Sequence, residues 1–179
     1  MNADVSCRVA WADDAPAIAA VQVRAWRASY EGILPGELLD ALVADDFAEQ
    51  WQRSLSSPPD ARNRVLVALE RNLVTGFAVT GPATDPDCDP IADGEIADLT
   101  VDPHKRGTGH GSRLVQAAVD TLKADRFTRA VTWLAAQDDA TRGFLAAAGW
   151  APDGAHRTLD LTGDGTVQVK QVRLHTAIG

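Results

Sequence analysis

The sequence is poor in cysteine and has no long apolar run. Its two cysteines, Cys7 and Cys88, form no CxxC pair and no zinc-type spacing among the 179 residues. A disulfide framework is therefore not expected, and a reducing cytoplasm suits this composition. The N-terminal segment lacks a basic start followed by an apolar stretch, and no segment approaches the length of a membrane-spanning helix. The sequence thus predicts a cytoplasmic protein without signal peptide or membrane anchor.

Positive charge is also scarce. The chain has 17 Lys and Arg against 25 Asp and Glu, which gives a formal net charge of -8. Nucleic acids and anionic membranes bind positive surfaces, so neither is an expected partner, and the acidic balance leans toward a cationic small ligand. With 45% hydrophobic residues the chain can bury a core, and its length predicts one domain over residues 1–179. A homodimer is left open.

Hydrophobic periodicity and turn residues divide the chain into strands and helices. A strand–helix–strand unit in the middle predicts two parallel neighbours joined by a right-handed crossover, and hairpins on either side predict antiparallel flanks. The fold class is therefore α/β, with a mixed sheet and helices on both faces. The predicted elements are a strand and helix within 7–30, a helical stretch over 35–55, a hairpin of 64–69 and 73–82, a strand at 94–101 followed by a helix to about 124, a strand at 130–135, a helix at 138–149, and strands at 157–161 and 166–178.

Three alternating glycines precede the helix that follows the strand at 94–101. Gly107, Gly109 and Gly111 come directly after Lys105 and Arg106. A helix N-terminus offers unpaired N–H groups and a partial positive charge, and glycines let the backbone curl around an anion. The stretch therefore predicts a phosphate cradle, with a simple connecting turn as the alternative.

The spacing of these glycines separates the known phosphate motifs. No lysine follows Gly111, which excludes a P-loop, and the third glycine comes one residue too early for the dinucleotide fingerprint. The remaining pattern is [RQ]-x-x-G-x-[GA], which Arg106, Gly109 and Gly111 satisfy.

This pattern resembles the GNAT superfamily of acyl-CoA-dependent N-acyltransferases. Residues 95–115 are similar to that family's central strand, pyrophosphate loop and helix, residues 131–150 to its next strand and helix, and residues 12–35 to the first helix and loop of many bacterial members. The resemblance implies a mostly antiparallel sheet with one splayed parallel strand pair. It also implies transfer of the acetyl group of acetyl-CoA to a primary amine, in a small molecule or a peptide, by direct attack in a ternary complex.

The same resemblance implies where the donor would bind. Residues 94–150 would hold acyl-CoA, with the pyrophosphate on the N–H groups from Arg106 to Ser112 and the pantetheine arm along the backbone at Leu99 and Val101. His110 would contribute its backbone N–H and leave its ring exposed. The complete expected set is Leu99, Thr100, Val101, Arg106, Gly107, Thr108, Gly109, His110, Gly111, Ser112 and Asp138.

Amide formation needs a base and an oxyanion donor. A free alkylamine is mostly ammonium at neutral pH, so a positioned base must take its proton. Glu95, at the head of the central strand, is the first candidate and Asp98 the second; strand alternation predicts that they face opposite sides of the sheet. The N–H at about Leu99 would meet the developing oxyanion.

The second family segment departs from the pattern. Asp138 stands where the family usually has Asn, and Leu145 where it usually has the Tyr that meets the leaving thiolate. Leucine cannot donate a proton, so either the thiolate leaves unaided or another hydroxyl serves, for which Tyr30 is the candidate. Asp138 also suits a helix N-cap.

The first helices, in residues 1–60, would form the acceptor side. The expected wall is Trp26, Tyr30, Glu31 and Leu34, with burial in the core as the alternative for Trp26. The other tryptophans, at positions 11, 51, 133 and 150, are interpreted as packing residues, and the Asp/Pro-rich loop at 85–90 as a solvated turn without metal.

A non-catalytic acyl-CoA-binding module is the rival function, which the missing tyrosine favours. A nucleotide-binding protein is the weaker rival.

Overall fold

The computed structural model describes residues 4–179. Within this range the chain forms seven strands and five α-helices in the predicted order. The strands are β1 (Val5–Val9), β2 (Arg64–Glu70), β3 (Leu73–Pro82), β4 (Asp93–Val101), β5 (Arg129–Ala135), β6 (Ala151–Asp160) and β7 (Gln168–Ala177). The helices are α1 (Ala15–Tyr30), α2 (Gly36–Asp40), α3 (Ala44–Ser56), α4 (His110–Ala124) and α5 (Asp139–Ala147).

All seven strands belong to one sheet, in the order β1-β2-β3-β4-β5-β7-β6. The pair β4–β5 is parallel and is connected through α4, and the other neighbours are antiparallel. The prediction of a mixed sheet with one parallel pair is thus confirmed.

Helices cover both faces of the sheet, as predicted. Leu114, Ala118 and Leu122 of α4 and Leu145 of α5 are buried in one apolar cluster with the sheet. A second cluster joins α1 to the opposite face, and α3 packs against it through Trp51 and Leu55. We call these the α4 face and the α1 face. Because an apolar stripe on each helix matches the alternating side chains of the strands, each face forms its own core.

The helical stretch predicted over 35–55 is broken in two. Helix α2 ends at Asp40 and α3 begins at Ala44. The guanidinium of Arg27, from α1, donates to the carbonyl oxygens of Leu39 and Leu42 at 3.3 and 3.0 Å. These carbonyls are satisfied by a side chain from another helix, so the chain can turn there without leaving acceptors unpaired.

The last hairpin also begins earlier than predicted, since β6 starts at residue 151 and not at 157.

The four tryptophans interpreted as packing residues divide into two groups. Trp150 is buried, and Trp51 packs edge-to-face on Phe77 with 5.1 Å between ring centroids. Trp11, in contrast, is 63% exposed, and Trp133 lines a surface groove, so for these two the interpretation is wrong. Both rings instead support an arginine: Arg8 lies over Trp11 and Arg157 over Trp133.

Among residues 4–179, none of the helices combines the length and the hydropathy needed to cross a membrane.

Candidate active site

The loop between β4 and α4 has the backbone that its glycines predict. Gly107 and Gly109 adopt φ angles of 76° and 88°, in the left-handed region that L residues rarely enter. A Cβ at either position would meet no other atom within 4 Å, so glycine is required there by conformation and not by crowding. Gly109 is also the N-cap of α4 and has no side chain with which to cap it.

The loop presents a row of unsatisfied donors. Within the described chain, no protein acceptor takes the backbone N–H groups from Arg106 to Ser112; the first helical bond runs from the Arg113 N–H to the Gly109 oxygen at 3.1 Å. Arg106 is exposed and makes no ion pair with any described residue, whereas Lys105 pairs with Glu70 at 3.3 Å. Unpaired N–H groups at a helix N-terminus beside an unpaired guanidinium fit a pyrophosphate.

An ion pair ties this loop to the acceptor-side helix. Asp102 directly follows β4, accepts the His104 N–H at 3.0 Å and binds the Arg24 guanidinium of α1 at 2.6 Å. Burial by itself would raise the pKa of Asp102, but these donors outweigh it and hold the pKa below the ordinary value. Sequence reasoning missed this pair because its members are 78 positions apart and no motif links them.

The ring of His110 is not exposed, and that prediction is wrong. The side chain is 1% exposed, and its two ring nitrogens find no hydrogen-bond partner in the described structure. The Nε2 atom lies 3.4 Å from a carboxylate oxygen of Glu70, but in a direction unsuited to a hydrogen bond. The ring is buried because His110 is the first residue of α4, where the helix packs down onto the sheet.

Phe144 of α5 lies beside the loop, and no sequence motif indicated it. A Cβ built on Gly111 would lie 3.7 Å from Val101 and 3.8 Å from Phe144, so the helix start, the end of β4 and α5 converge here. The neighbouring Leu145 is 2% exposed and belongs to the α4-face core. The usual tyrosine position is therefore a packing position in this chain, and Phe144 is the α5 side chain beside the loop.

Strands β4 and β5 separate next to the loop. Their parallel pairing runs from Asp93↔Arg129 to Ile96↔Thr132 and then stops. At the point of separation the Thr132 hydroxyl donates to the Ile96 carbonyl at 2.8 Å. Beyond Ile96, β4 remains paired only with β3, so its other edge offers unpaired backbone to a ligand.

A β-bulge at the same place changes the orientation of the candidate bases. On β3, Val79 pairs with Asp98 and the next residue, Thr80, pairs with Ile96, which leaves Ala97 without a partner. Residues paired across strands share a face, so Asp98 lies with Val79 on the α1 face. Glu95 pairs with Gly81, two residues beyond Val79, and shares that face. The prediction that the two carboxylates face opposite sides is wrong, because simple alternation ignores the extra residue.

Glu95 has an enclosed side chain, with polar and charged groups close to it. Its side chain is 9% exposed, and the Thr84 hydroxyl donates to it at 3.5 Å. Burial, and then the charge of Asp85, raise the pKa of Glu95, while Thr84 and Arg157 partly offset the rise. A carboxyl whose pKa is moved toward neutrality is better matched to accepting a proton.

Asp98 lies near the end of α1. The Thr100 hydroxyl donates to its carboxylate at 2.7 Å, and burial raises the pKa of Asp98. Burial and the charge of Asp98 in turn raise the pKa of Tyr30, the last residue of α1. The structure thus brings Glu95, Asp98 and Tyr30 to one face of the sheet.

The expected acceptor wall is partly assembled. Trp26 is 37% exposed, stands edge-to-face to Tyr30 at 6.2 Å between centroids, and contacts Phe47 of α3 at 5.4 Å. It is therefore a surface aromatic and not a core residue. Glu31 and Leu34 form an isolated β-bridge just after α1; Glu31 is exposed and Leu34 half-buried.

Two other predictions concern polar side chains. Asp138 is the N-cap of α5, as predicted, and accepts both the N–H and the hydroxyl of Thr141. In the loop at 85–90, ligand atoms of Asp85, Asp87 and Cys88 lie within 4.8 Å of one another. The guanidinium of Arg173 contacts all three side chains and is the cation that this cluster binds in the structure.

Two cavities lie on the described surface near these elements. One, of about 510 Å³, is at the C-terminal end of α3, between Gln52 and Pro59, and touches none of the candidate residues. The other, of about 390 Å³, is a groove lined by the 85–87 loop, Trp133, residues 154–157 and Arg173. Trp133 of this groove lies on the same face of the sheet as Val131, the β5 partner of Glu95, so the groove adjoins the candidate base.

Comparison with known proteins agrees with this geometry. The model of the acetyltransferase (GNAT) family matches residues 23–150. The N-acetyltransferase YuaI of Bacillus subtilis (strain 168), itself uncharacterised, is 29% identical over 136 residues, which are 75% of this chain and 73% of that protein.

Solved structures share the fold over nearly the whole chain. One is yncA from Salmonella typhimurium, determined with its cofactor acetyl-CoA, with a TM-score of 0.69 and 18% identity over 99% of this chain and 95% of that one. Another is the PaiA N-acetyltransferase of Thermoplasma acidophilum in complex with coenzyme A, with a TM-score of 0.71 and 14% identity over 97% and 99% of the two chains. The family match, the splayed strand pair and the glycine loop together establish that this chain belongs to the GNAT acetyltransferase family.

Proposed function

We propose that the protein transfers the acetyl group of acetyl-CoA to a primary amine by direct attack in a ternary complex, with Glu95 as the base. Membership of the GNAT family makes the protein an acyltransferase that uses acetyl-CoA. The observation that carries the proposal for this chain is the position of Glu95, on the α1 face at the point where β4 and β5 separate.

The donor would be held mainly by backbone. The N–H groups from Arg106 to Ser112 donate to no acceptor in the described part of the chain and would bind the pyrophosphate, with the Arg106 side chain beside them. The open edge of β4, from Leu99 through Thr100 to Val101, would bind the pantetheine arm, and Asp138 would lie at its far side. When bound, acetyl-CoA supplies an acetyl thioester as the electrophile.

The β4 backbone and Glu95 would then serve the reaction itself. Glu95 takes a proton from the acceptor ammonium, directly or through a water, because its raised pKa narrows the gap to the amine. The N–H at about Leu99 would stabilise developing negative charge on oxygen. Asp98, on the same face, is the second candidate for the base.

A hydroxyl is available for the leaving thiolate although Leu145 has none. Burial and Asp98 raise the pKa of Tyr30, so its hydroxyl stays protonated at neutral pH and is able to donate. A thiolate is also a weak base, with a reference pKa of about 8.5 for its conjugate thiol, and so needs little help to leave. Tyr30 therefore has two proposed roles, as part of the acceptor wall with Trp26, Glu31 and Leu34 and as a proton donor.

We further propose that residues 1–179 act as one domain in the cytoplasm, with residues 1–60 on the acceptor side and residues 94–150 on the donor side. The Arg24–Asp102 pair, which joins these two parts, supports the division of roles. A homodimer stays a prediction that light scattering at several protein concentrations would test.

Ligand binding separates this function from its rivals. We expect acetyl-CoA and CoA, but neither ATP nor NAD, to raise the thermal midpoint, because a ligand that binds only the folded state stabilises it by mass action. Thiol release with a panel of amines, including small amines and peptides, then measures transfer. A midpoint shift without thiol release on any amine would favour a non-catalytic acyl-CoA-binding module, which the buried Leu145 supports. No shift with either CoA species would contradict both readings.

A further inference from the structure

The groove beside Glu95 contains an arginine whose donors are not used. The groove has a volume of about 390 Å³ and is lined by the 85–87 loop, Trp133, Arg173 and residues 154–157 of β6. The guanidinium of Arg157 lies 4.2 Å from the centroid of the Trp133 ring, and its Nε donates to Gln171 at 2.7 Å. In the described chain, its two terminal NH₂ groups meet no acceptor and it forms no ion pair.

The platform under Arg157 is fixed. The indole N–H of Trp133 donates to the Asp85 carboxylate at 2.8 Å, which sets the plane of the ring. The stacked ring and Gln171 then leave the guanidinium little freedom. A guanidinium that is held in plane with both NH₂ groups free matches a carboxylate, because the two can form parallel hydrogen bonds.

The acidic side chains of the groove do not cancel this cation. Arg173 is 5% exposed and binds Asp85, Asp87 and Asp153. Arg129 adds a contact of 2.9 Å to the Asp153 carboxylate. Each of these carboxylates thus already binds a buried or half-buried arginine, whereas Arg157 pairs with no carboxylate of the described chain and has donors left for a ligand anion.

We propose that Arg157 binds a carboxylate of the acceptor, so that the preferred substrate is an amine that also carries a carboxylate. This inference rests on the proposed function, because it takes Glu95 as the group that receives the amine. Val131, the β5 partner of Glu95, is two residues from Trp133 on the same face of the sheet, and Arg157 stacks on that ring, so one small molecule can reach both groups. Arg157 thus favours an acceptor that carries a negative group, whereas the net charge of -8 by itself favours a cationic acceptor.

Matched acceptors test this selectivity. Steady-state kinetics compare amino acids with the amines of the same carbon skeleton that lack the carboxylate, in the wild type, Arg157→Gln and Arg157→Lys. In Arg157→Gln we expect kcat/KM to fall about 10- to 100-fold for the carboxylate-bearing acceptors, mainly through KM, because charge-assisted hydrogen bonds are lost. For the amines without carboxylate kcat/KM should change far less, because they lose no contact and only the charge of Arg157 near Glu95 is removed. Arg157→Lys keeps the charge but not the planar fork. Its kcat/KM for the carboxylate-bearing acceptors should therefore lie between the values of the wild type and of Arg157→Gln.

Two controls and a binding measurement complete the experiment. Arg53→Gln, on the exposed surface of α3, should behave as the wild type, and the affinity for CoA should be the same in every variant. Isothermal titration of the CoA-bound protein with N-acetyl amino acids and with N-acetyl amines measures the carboxylate contact without turnover. Equal preference for the two acceptor classes in the wild type, or equal loss of both in Arg157→Gln, would overturn the proposal. Carboxylate-dependent binding that requires Arg157 but gives no thiol release would instead overturn the proposed function and leave the binding site standing.

Discussion

The donor loop and the acceptor face of this protein are built in different ways. The proposed donor loop is one continuous segment, Arg106 to Ser112, and would act through backbone N–H groups set by glycines with φ angles of 76° and 88°. The acceptor face instead joins Tyr30 from α1, the β4 carboxylates and the groove beside β5 and β6. Its groups act through side chains whose neighbours are far away in sequence.

This difference explains where sequence reasoning succeeds. A loop that binds through its own backbone needs only a local conformation, which Gly107 and Gly109 specify directly. A face made of side chains depends on strand register and on packing between helices. Mutations should therefore separate the two regions, with donor affinity changing at the loop and turnover or acceptor affinity changing at the face.

The largest effect is expected at Glu95. Glu95→Gln should lower kcat about 10²- to 10⁴-fold, the usual range for a lost general base, while the affinity for acetyl-CoA stays the same. In the wild type, kcat/KM should fall as the pH drops through the raised pKa of Glu95, because the protonated carboxyl accepts no proton. Stopped assays of thiol release from pH 5 to 9 measure both effects. If Asp98→Asn reproduces the loss and Glu95→Gln does not, Asp98 is the base.

The donor loop should respond at Gly109. Gly109→Ala places a Cβ in the left-handed region at a cost of about 1–2 kcal/mol. If the loop changes conformation to avoid this cost, CoA should bind about 5- to 30-fold more weakly. Gly32→Ala is the matched control, since Gly32 has a φ of 78° and equally open surroundings but lies after α1. It should leave CoA affinity unchanged and affect only the acceptor KM. Fluorescence or calorimetric titration with CoA measures the affinities, and equal weakening in both variants would contradict the separation of the two regions.

The Arg24–Asp102 pair connects the two regions, so its loss should affect stability. Arg24→Ala should cost about 1 kcal/mol and lower the thermal midpoint by about 2–4 °C, since Arg24 is partly exposed and screened by solvent. The pKa of Asp102 is lowered in the folded state, so this stability is present above the unfolded pKa and disappears as the pH falls through the folded value. The difference between variant and wild type should therefore be full at pH 7 and small near pH 3. Arg53→Ala, which removes an exposed pair 3.8 Å long, should change little at either pH.

The smallest effect is a gain in stability at the site itself. The folded pKa of Glu95 is raised, so below the unfolded pKa the carboxyl is protonated in both states and costs nothing. As the pH rises toward the folded value, ionisation favours the unfolded chain. Glu95→Gln should therefore raise the thermal midpoint at pH 7.5 and lose this advantage near pH 4. An unchanged midpoint at pH 7.5 would show that Glu95 is better solvated than its burial indicates.

The sequence by itself determined the order of the elements, the parallel pair around α4 and the donor loop. These features follow from hydrophobic periodicity, turn residues and the φ requirements of glycine, which are properties of neighbouring residues. The family pattern at Arg106, Gly109 and Gly111 also depends only on local spacing, and the match to the family model confirms the family that it indicated.

Only the tertiary structure decided which side chains meet on the acceptor face. The bulge at Ala97 places Glu95 and Asp98 on one face of the sheet. It belongs to the pairing of β4 with β3, in which Ala97 is an extra residue without a partner on β3. The burial of His110 and Leu145, the pair of Arg24 with Asp102, and the stacking of Arg157 on Trp133 likewise join elements that are distant in sequence. Burial, strand register and ion pairs depend on contacts between elements that are distant in sequence. They therefore form only when the sheet and its two helical layers are assembled.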